Sequence, residues 1–143
     1  MLTNFLAAPL GSLAVAVLVA LATIQMYWAL GGQIGIAIAQ PAPVKGTTIR
    51  PSPTASILVA ICLVVAADLL LVRVGVFTTK ISPFGVRIAC AVLAGGFLIR
   101  AIGDFHYVGF FKRVRKSRFA RIDTALYSPM SLFLAAAIGI NTI

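Results

Sequence analysis

Acidic side chains are almost absent from this chain. Its 143 residues include three Asp, no Glu, one His and two Cys. A metal site needs a cluster of His, Cys and carboxylate ligands, and Cys62 and Cys90 lie in apolar runs without CxxC spacing. No nucleophile elbow or phosphate-binding loop occurs either. We therefore predict no metal, no cofactor and no disulfide, and the sequence favours a role other than catalysis.

Charge is scarce and apolar residues are abundant. Charged residues make up 10% of the chain and hydrophobic residues 61%, against roughly 25% charged residues in an average soluble domain. The mean hydropathy is +1.07, and a membrane crossing needs about 20 apolar helical residues. We predict an all-α integral membrane protein, one domain over residues 1–143, with four transmembrane helices in a compact bundle. The predicted spans are approximately residues 10–30, 54–75, 84–103 and 125–140.

The net charge of +9 does not indicate nucleic-acid binding, because no recognition motif accompanies it. Basic residues concentrate in cytoplasmic loops of membrane proteins. Counting them places the loop 106–124 in the cytoplasm and both termini outside, in a protein of the cell (inner or plasma) membrane. Six cations of this loop are expected to meet anionic lipid headgroups: Lys112, Arg113, Arg115, Lys116, Arg118 and Arg121. The segment 110–122 forms either a short helix that lies on the anionic membrane surface or an ordinary solvated basic loop.

Polar residues from three parts of the chain are predicted to meet at one membrane face. Reflecting the third and fourth spans about their loop places Asp104 level with Asp123, and Arg100 one helical turn deeper. Arg100 and Asp104 are four residues apart, which suits an ion pair on one helix face. The first span ends at the same face. The candidate ligand-binding residues are Tyr27, Trp28, Arg100, Asp104, His106, Asp123 and Tyr127. A purely interfacial role for the aromatic residues is the alternative.

Two other features concern packing within the membrane. Reflection about the short hairpin after the second span brings Asp68 to the depth of Arg87, which predicts an intramembrane ion pair; a proton-relay role for Asp68 is the alternative. Ala89, Gly96 and Gly103 recur every seven residues on the third span, which predicts close approach of another helix there. The apolar segment 34–39 is too short to cross a bilayer, and lies in the interface or re-enters the membrane.

The same motifs carry a resemblance to a known family. They are YWALGG at Tyr27–Gly32, RAIGDFHYVGFFKR at Arg100–Arg113 and FARIDTALYSP at Phe119–Pro129. With these the chain resembles the uncharacterised bacterial membrane proteins called domain of unknown function 3995. The resemblance implies a small multi-span membrane protein. The family has no established activity, so the resemblance assigns no catalytic residue.

Three functions are consistent with these observations. The first is a pocket at the cytoplasmic face that binds a lipid or a small amphipathic ligand, with Arg100 holding an anionic group and Tyr27 and Trp28 forming an apolar wall. The second is proton or solute transport, which calls for an oligomer because the fourth span has few polar side chains. The third is a structural or accessory membrane subunit. A homo-oligomer is compatible with each.

Overall fold

The chain folds into long helices. The structure is a computed structural model that describes residues 2–39, 52–103, 109–111, 113 and 118–142. Across these residues it contains helices and no strands, and four helical segments are long and apolar enough to cross a membrane, which confirms the predicted fold class. The helices are α1 Leu2–Ala29, α2 Ile36–Ala39, α3 Pro53–Val74, α4 Pro83–Ile102, α5 Arg118–Ile122 and α6 Ser128–Ile140. A π-helical turn, Asp123–Tyr127, joins α5 to α6.

Local sequence explains where α3 and α4 begin. Ser52 and Ser82 each precede a proline, and their hydroxyls accept the backbone N–H of Ala55 and Gly85 at 3.1 Å. Proline at the first helical position sacrifices no hydrogen bond, because the first N–H groups of a helix have no internal partner. The Ser–Pro pairs therefore start both helices at defined residues. Gly75 ends α3 with a positive φ of 86°.

The helices pack as two pairs. α1 lies against α3, and α4 lies against α6, while α1 also contacts α6 and joins the pairs. The core between them is apolar and includes Leu18, Leu70, Leu134 and Ile138, each at most 1% exposed. Most other large side chains face outward, as expected where lipid rather than water surrounds the bundle. The C-terminal end of α1 and that of α4 lie at one end of the bundle, and this end carries the site described below.

A polar clamp holds the opposite end of the bundle together. Asn141, 7% exposed, donates from Nδ2 to the carbonyls of Ala7 at 3.0 Å and Ala137 at 2.8 Å. Its own carbonyl accepts a hydrogen bond from Arg73 Nε. One asparagine therefore ties α1, α3 and α6 together, and Arg73 has a structural role here.

The structure differs from two sequence-based expectations, those for the start of the fourth span and for Gly96, and it adds detail to a third. The fourth helical segment starts at Arg118 rather than near 125, so residues 118–124 of the predicted basic loop are helical. Within segment 34–39, residues 36–39 form the short helix α2, which lies against α5. Gly96 is exposed, and a Cβ added there would meet no atom within 4 Å, so no described part of the chain packs at that position. Which end of the bundle faces the cytoplasm stays a prediction.

Candidate functional site

A buried carboxylate organises one end of the bundle. Asp123 is 0% exposed, and its Oδ1 accepts a hydrogen bond from Arg100 Nη2 at 3.0 Å. Its Oδ2 accepts the backbone N–H of Gly109 at 2.8 Å and the hydroxyl of Ser128 at 3.2 Å. A buried carboxylate requires such donors, because burial without them is costly. Asp123 thus links α4, the returning loop and the fourth helical segment.

The π-helical turn explains how Asp123 and Ser128 meet. Proline lacks an N–H and clashes with the carbonyl four residues before it, so Pro129 cannot continue a regular α-helix from α5. The extra residue per turn in Asp123–Tyr127 accommodates this, and the N–H of Ser128 bonds to the carbonyl of Asp123, five residues back. Residues five apart share a face in this geometry, which places the Ser128 hydroxyl beside the carboxylate. Short π-helical segments occur frequently at functional sites.

Gly109 brings the loop after α4 back onto the bundle. The N–H of Phe110 bonds to the carbonyl of Ala101 at 3.0 Å, so the chain returns to the helix it has just left. Gly109 has a φ of 90°, and a Cβ there would overlap the backbone of Ile102 and Gly103. Glycine alone meets both requirements. Its backbone N–H can therefore reach Asp123.

The end of α1 carries a folded turn held by two aromatic side chains. Trp28 Nε1 donates to the carbonyl of Ile34 at 2.9 Å, and the N–H of Ile34 donates to the Tyr27 hydroxyl at 3.4 Å. Gly31 and Gly35 have positive φ values of 94° and 83°, which let the chain reverse after α1. The motif YWALGG therefore forms a defined cap, and its aromatic rings hold a turn as well as forming a wall.

Between this cap and the Arg100–Asp123 pair lies a cavity of about 800 Å³. This volume falls within the range of small-molecule sites, roughly 300–1,000 Å³. Its walls come from α1 and the turn that follows it, from α2, α3 and α4, and from the fourth helical segment. They are mostly apolar. The lining residues are Leu21, Thr23, Ile24, Gln25, Tyr27, Trp28, Ile34, Gly35, Ala39, Val59, Leu63, Phe97, Arg100, Tyr127, Met130 and Ser131.

Among the described residues, Arg100 is the one cation in the cavity wall. Its side chain is 38% exposed, whereas its partner Asp123 is 0% exposed. The guanidinium has five N–H donors, and the Asp123 bond uses Nη2. Nη1 is inaccessible to solvent and has no hydrogen-bond partner. An unsatisfied buried donor is unfavourable by about 1–3 kcal/mol, and more for a charged group. The exposed part of the Arg100 side chain, rather than Nη1, is what an acceptor in the cavity can reach.

The structure brings together four of the predicted site residues around the cavity: Tyr27, Trp28, Arg100 and Tyr127. Asp123 lies directly behind Arg100 as its ion-pair partner. Asp104 and His106 lie outside the described residues, so the predicted Arg100–Asp104 pair does too. Most of the wall was not identified from the sequence, because apolar residues such as Leu63 and Phe97 give no signal that separates a cavity from a core.

The cations assigned to lipid headgroups are only partly described. Arg113 and Arg121 are exposed, as headgroup contact requires. The side chain of Arg118, and the residues Lys112, Arg115 and Lys116, lie outside the described set. Contact of these cations with lipid stays a prediction. Within the described ranges, no three His, Cys, Asp or Glu residues group as metal ligands would.

The predicted pair of Asp68 and Arg87 does not form within the chain. Both side chains are exposed, and the ion pair present among the described residues is Arg100–Asp123. The number of residues from the connecting loop sets the depth of a side chain in the membrane, but not the direction in which the helix turns that side chain. Asp68 points away from the core face of α3, which is formed by Ser56, Leu63 and Leu70.

The chain matches one known protein family over most of its length. A model described as "protein of unknown function (DUF3995)" matches residues 18–138, most of the chain. The chain belongs to this family. All the motifs that build the cavity wall lie inside the matched range. Neither the curated proteins nor the solved structures contain a match.

Proposed function

We propose that the protein binds an amphipathic molecule in the 800 Å³ cavity, with the polar head of that molecule at Arg100. One observation carries this proposal: in the part of the chain that the structure describes, a large, mostly apolar cavity has one guanidinium in its wall, that of Arg100, which is 38% exposed. Ligand sites commonly combine apolar walls with a few polar groups that fix orientation. A membrane protein with such a cavity suits a ligand that is itself dissolved in the bilayer.

The chemistry at Arg100 favours a ligand head with hydrogen-bond acceptors, and a carboxylate above an amine. The guanidinium is a donor only, and planar carboxylates match its fork geometry. Asp123 holds one side of the guanidinium at 3.0 Å, which orients the group before a ligand arrives.

The apolar part of the cavity accommodates the ligand's tail. Leu21 and Ile24 of α1, Val59 and Leu63 of α3, and Phe97 of α4 line it. Burying a methylene group is worth about 0.8 kcal/mol relative to water, although a ligand that comes from lipid gains less. Affinity for the tail therefore depends on close packing, and specificity depends on the head at Arg100.

Trp28 supplies a direct test. It is the only tryptophan in the chain, and it lines the cavity. The detergent-solubilised protein is titrated with 9,10-dibromostearate, a brominated fatty acid that quenches nearby indole fluorescence, and with the matching dibromo alcohol. We expect saturable quenching by the acid. The alcohol should bind about 10-fold more weakly, because a hydrogen bond to a charged group contributes roughly 1.5–3 kcal/mol against roughly 0.5–1.5 kcal/mol for a neutral one, and about 1.4 kcal/mol corresponds to a factor of ten in affinity.

Two pairs of variants make the test specific. Val59→Phe adds bulk to the cavity and should weaken both probes, whereas Leu58→Phe, on an exposed neighbouring position outside the cavity wall, should not. Arg100→Gln should remove the preference for the acid, whereas Arg121→Gln should preserve it. Quenching that rises without saturation, or that is the same in Val59→Phe and wild type, would refute the proposal.

The same titration separates the proposal from its alternatives. A protein whose polar cluster only locks the helices together would show no saturable quenching. A transporter of inorganic ions would show none with this probe, and ion flux in proteoliposomes instead.

A further inference from the structure

Asp68 is an exposed carboxylate inside a membrane span. It lies 4.5 residues from the middle of α3, Pro53–Val74, which corresponds to about 7 Å at 1.5 Å per residue. The hydrocarbon core reaches roughly 15 Å from its midplane, so the short Asp side chain cannot extend to water. Ionisable groups at such depth almost always face protein or a water-filled cavity. Nothing among the described residues of its own chain forms an ion pair with Asp68.

Arg87 presents the complementary charge at the same depth. It is exposed, and no described residue forms an ion pair with it. It lies 5.5 residues from the middle of α4, Pro83–Ile102, on the side of the α3–α4 hairpin, which corresponds to about 8 Å. Asp68 lies toward the same hairpin. The two charges are therefore level to within about 2 Å, yet they do not meet within one chain.

Asp68 and Arg87 each lie at one end of an exposed helix face, and another helix can pack against each face. On α3 the residues Ile57, Ile61 and Val64 share the face of Asp68 by helical spacing, and all are exposed. On α4 the small residues Ala91 and Gly95 follow Arg87 at intervals of four. A Cβ added at Gly95 would meet no atom within 4 Å. Small residues at this spacing allow close helix approach in membranes.

We propose that two copies of this chain pair through these faces, with Asp68 of one copy bound to Arg87 of the other. A two-fold axis along the membrane normal keeps equal depths together, so the exchange occurs twice per dimer. The register of the apolar residues agrees. By the same rise per residue, Val64 lies opposite Ala91, and Ile61 lies opposite Gly95, each to within about 2 Å. The larger α3 side chains thus face the smaller α4 residues.

Cysteine cross-linking tests this register. Cys62 and Cys90 are replaced by Ala, and two chains with different affinity tags are co-expressed, one with Val64→Cys and the other with Ala91→Cys. A disulfide forms only when the Cβ atoms lie about 3.8 Å apart, so a mixed dimer that carries both tags is expected after oxidation. The control replaces Ala91→Cys by Val92→Cys, at nearly equal depth and 69% exposed but turned about 100° away. It should cross-link at least several-fold less.

Charge exchange tests the ion pair itself. Asp68→Arg and Arg87→Asp should each reduce the dimer fraction, measured by light scattering in detergent, because each places like charges together. The double variant Asp68→Arg/Arg87→Asp should restore the dimer. Equal cross-linking at residues 91 and 92 would overturn the proposal. A light-scattering mass of one chain for the wild type would also overturn it. If, in addition, the double variant Asp68→Arg/Arg87→Asp is a monomer that regains the thermal stability lost in the single variants, the ion pair lies within one chain.

Discussion

Replacing Asp123 by Asn is the change that most severely tests the description of the site. The substitution preserves size but replaces a carboxylate oxygen by an NH₂ group. Asp123 receives hydrogen bonds from Arg100, Gly109 and Ser128 at 2.8–3.2 Å. With one acceptor oxygen left, at least one of these donors faces another donor. The variant also leaves the guanidinium of Arg100 without its counter-charge.

The expected magnitude follows from burial. Removing one partner of a fully buried ion pair costs about 3–5 kcal/mol, and a hydrogen bond to a charged group contributes about 1.5–3 kcal/mol. The Arg100 side chain is 38% exposed, so water compensates for part of the loss on that side. We therefore expect Asp123→Asn to lower the free energy of unfolding by about 2–4 kcal/mol.

A double-mutant cycle isolates the ion pair from the other bonds of Asp123. Arg100→Gln leaves the carboxylate with its Gly109 and Ser128 donors, and we expect a coupling energy between the two positions of about 1–2 kcal/mol. Unfolding is measured by circular dichroism as the mole fraction of sodium dodecyl sulfate in mixed micelles increases. Ser128→Ala is the control, expected to cost about 1 kcal/mol because it removes one 3.2 Å bond. Additive effects of Asp123→Asn and Arg100→Gln would refute the reasoning.

Two further predictions concern positions away from the ion pair. Asn141→Ala should lower the free energy of unfolding by about 2 kcal/mol in the same assay, because it removes the hydrogen bond to Ala7 of α1 and the hydrogen bond to Ala137 of α6. Ser12→Ala, whose hydroxyl bonds to Ala8 within α1, should cost less, and equal losses would contradict the clamp. Gly109→Ala should lower the free energy of unfolding by about 1–3 kcal/mol more than Gly31→Ala does. Both glycines have a positive φ, but only a Cβ at position 109 would overlap backbone atoms. Equal stability of the two variants would contradict the return of the chain onto α4 at Gly109.

The long apolar helices could be read from the sequence, because a bilayer requires a minimum length of apolar helix. The predicted start of the fourth span, near residue 125, lies too far along the chain, because the charged residues Arg118, Arg121 and Asp123 lower the hydropathy before it. Asp123 is nevertheless buried in the structure. The π-helical turn was not predictable from periodicity, since periodicity analysis assumes a regular α-helix. Pro129 was the available signal.

The ion pairs show the limit of arguments from depth. Reflection about the loops placed Arg100 within one helical turn of Asp123, and these residues do pair. It also placed Asp68 level with Arg87, and these residues do not pair within the chain. Depth depends on residue count alone, whereas contact also depends on the rotation of each helix about its axis. The packing of apolar side chains sets that rotation, so the rotation cannot be inferred from the positions of the charged residues in the sequence.

The most direct test of the proposed function is native mass spectrometry of the purified protein supplied with oleate. The account predicts one oleate per chain on the wild type and on Leu58→Phe, with occupancy lost in Val59→Phe and strongly reduced in Arg100→Gln. Val59→Phe changes the cavity wall and Leu58→Phe a position outside it, whereas Arg100→Gln removes a cation of the wall together with its ion pair to Asp123. Absence of a bound oleate on the wild type, or equal occupancy in all four proteins, would contradict ligand binding in this cavity.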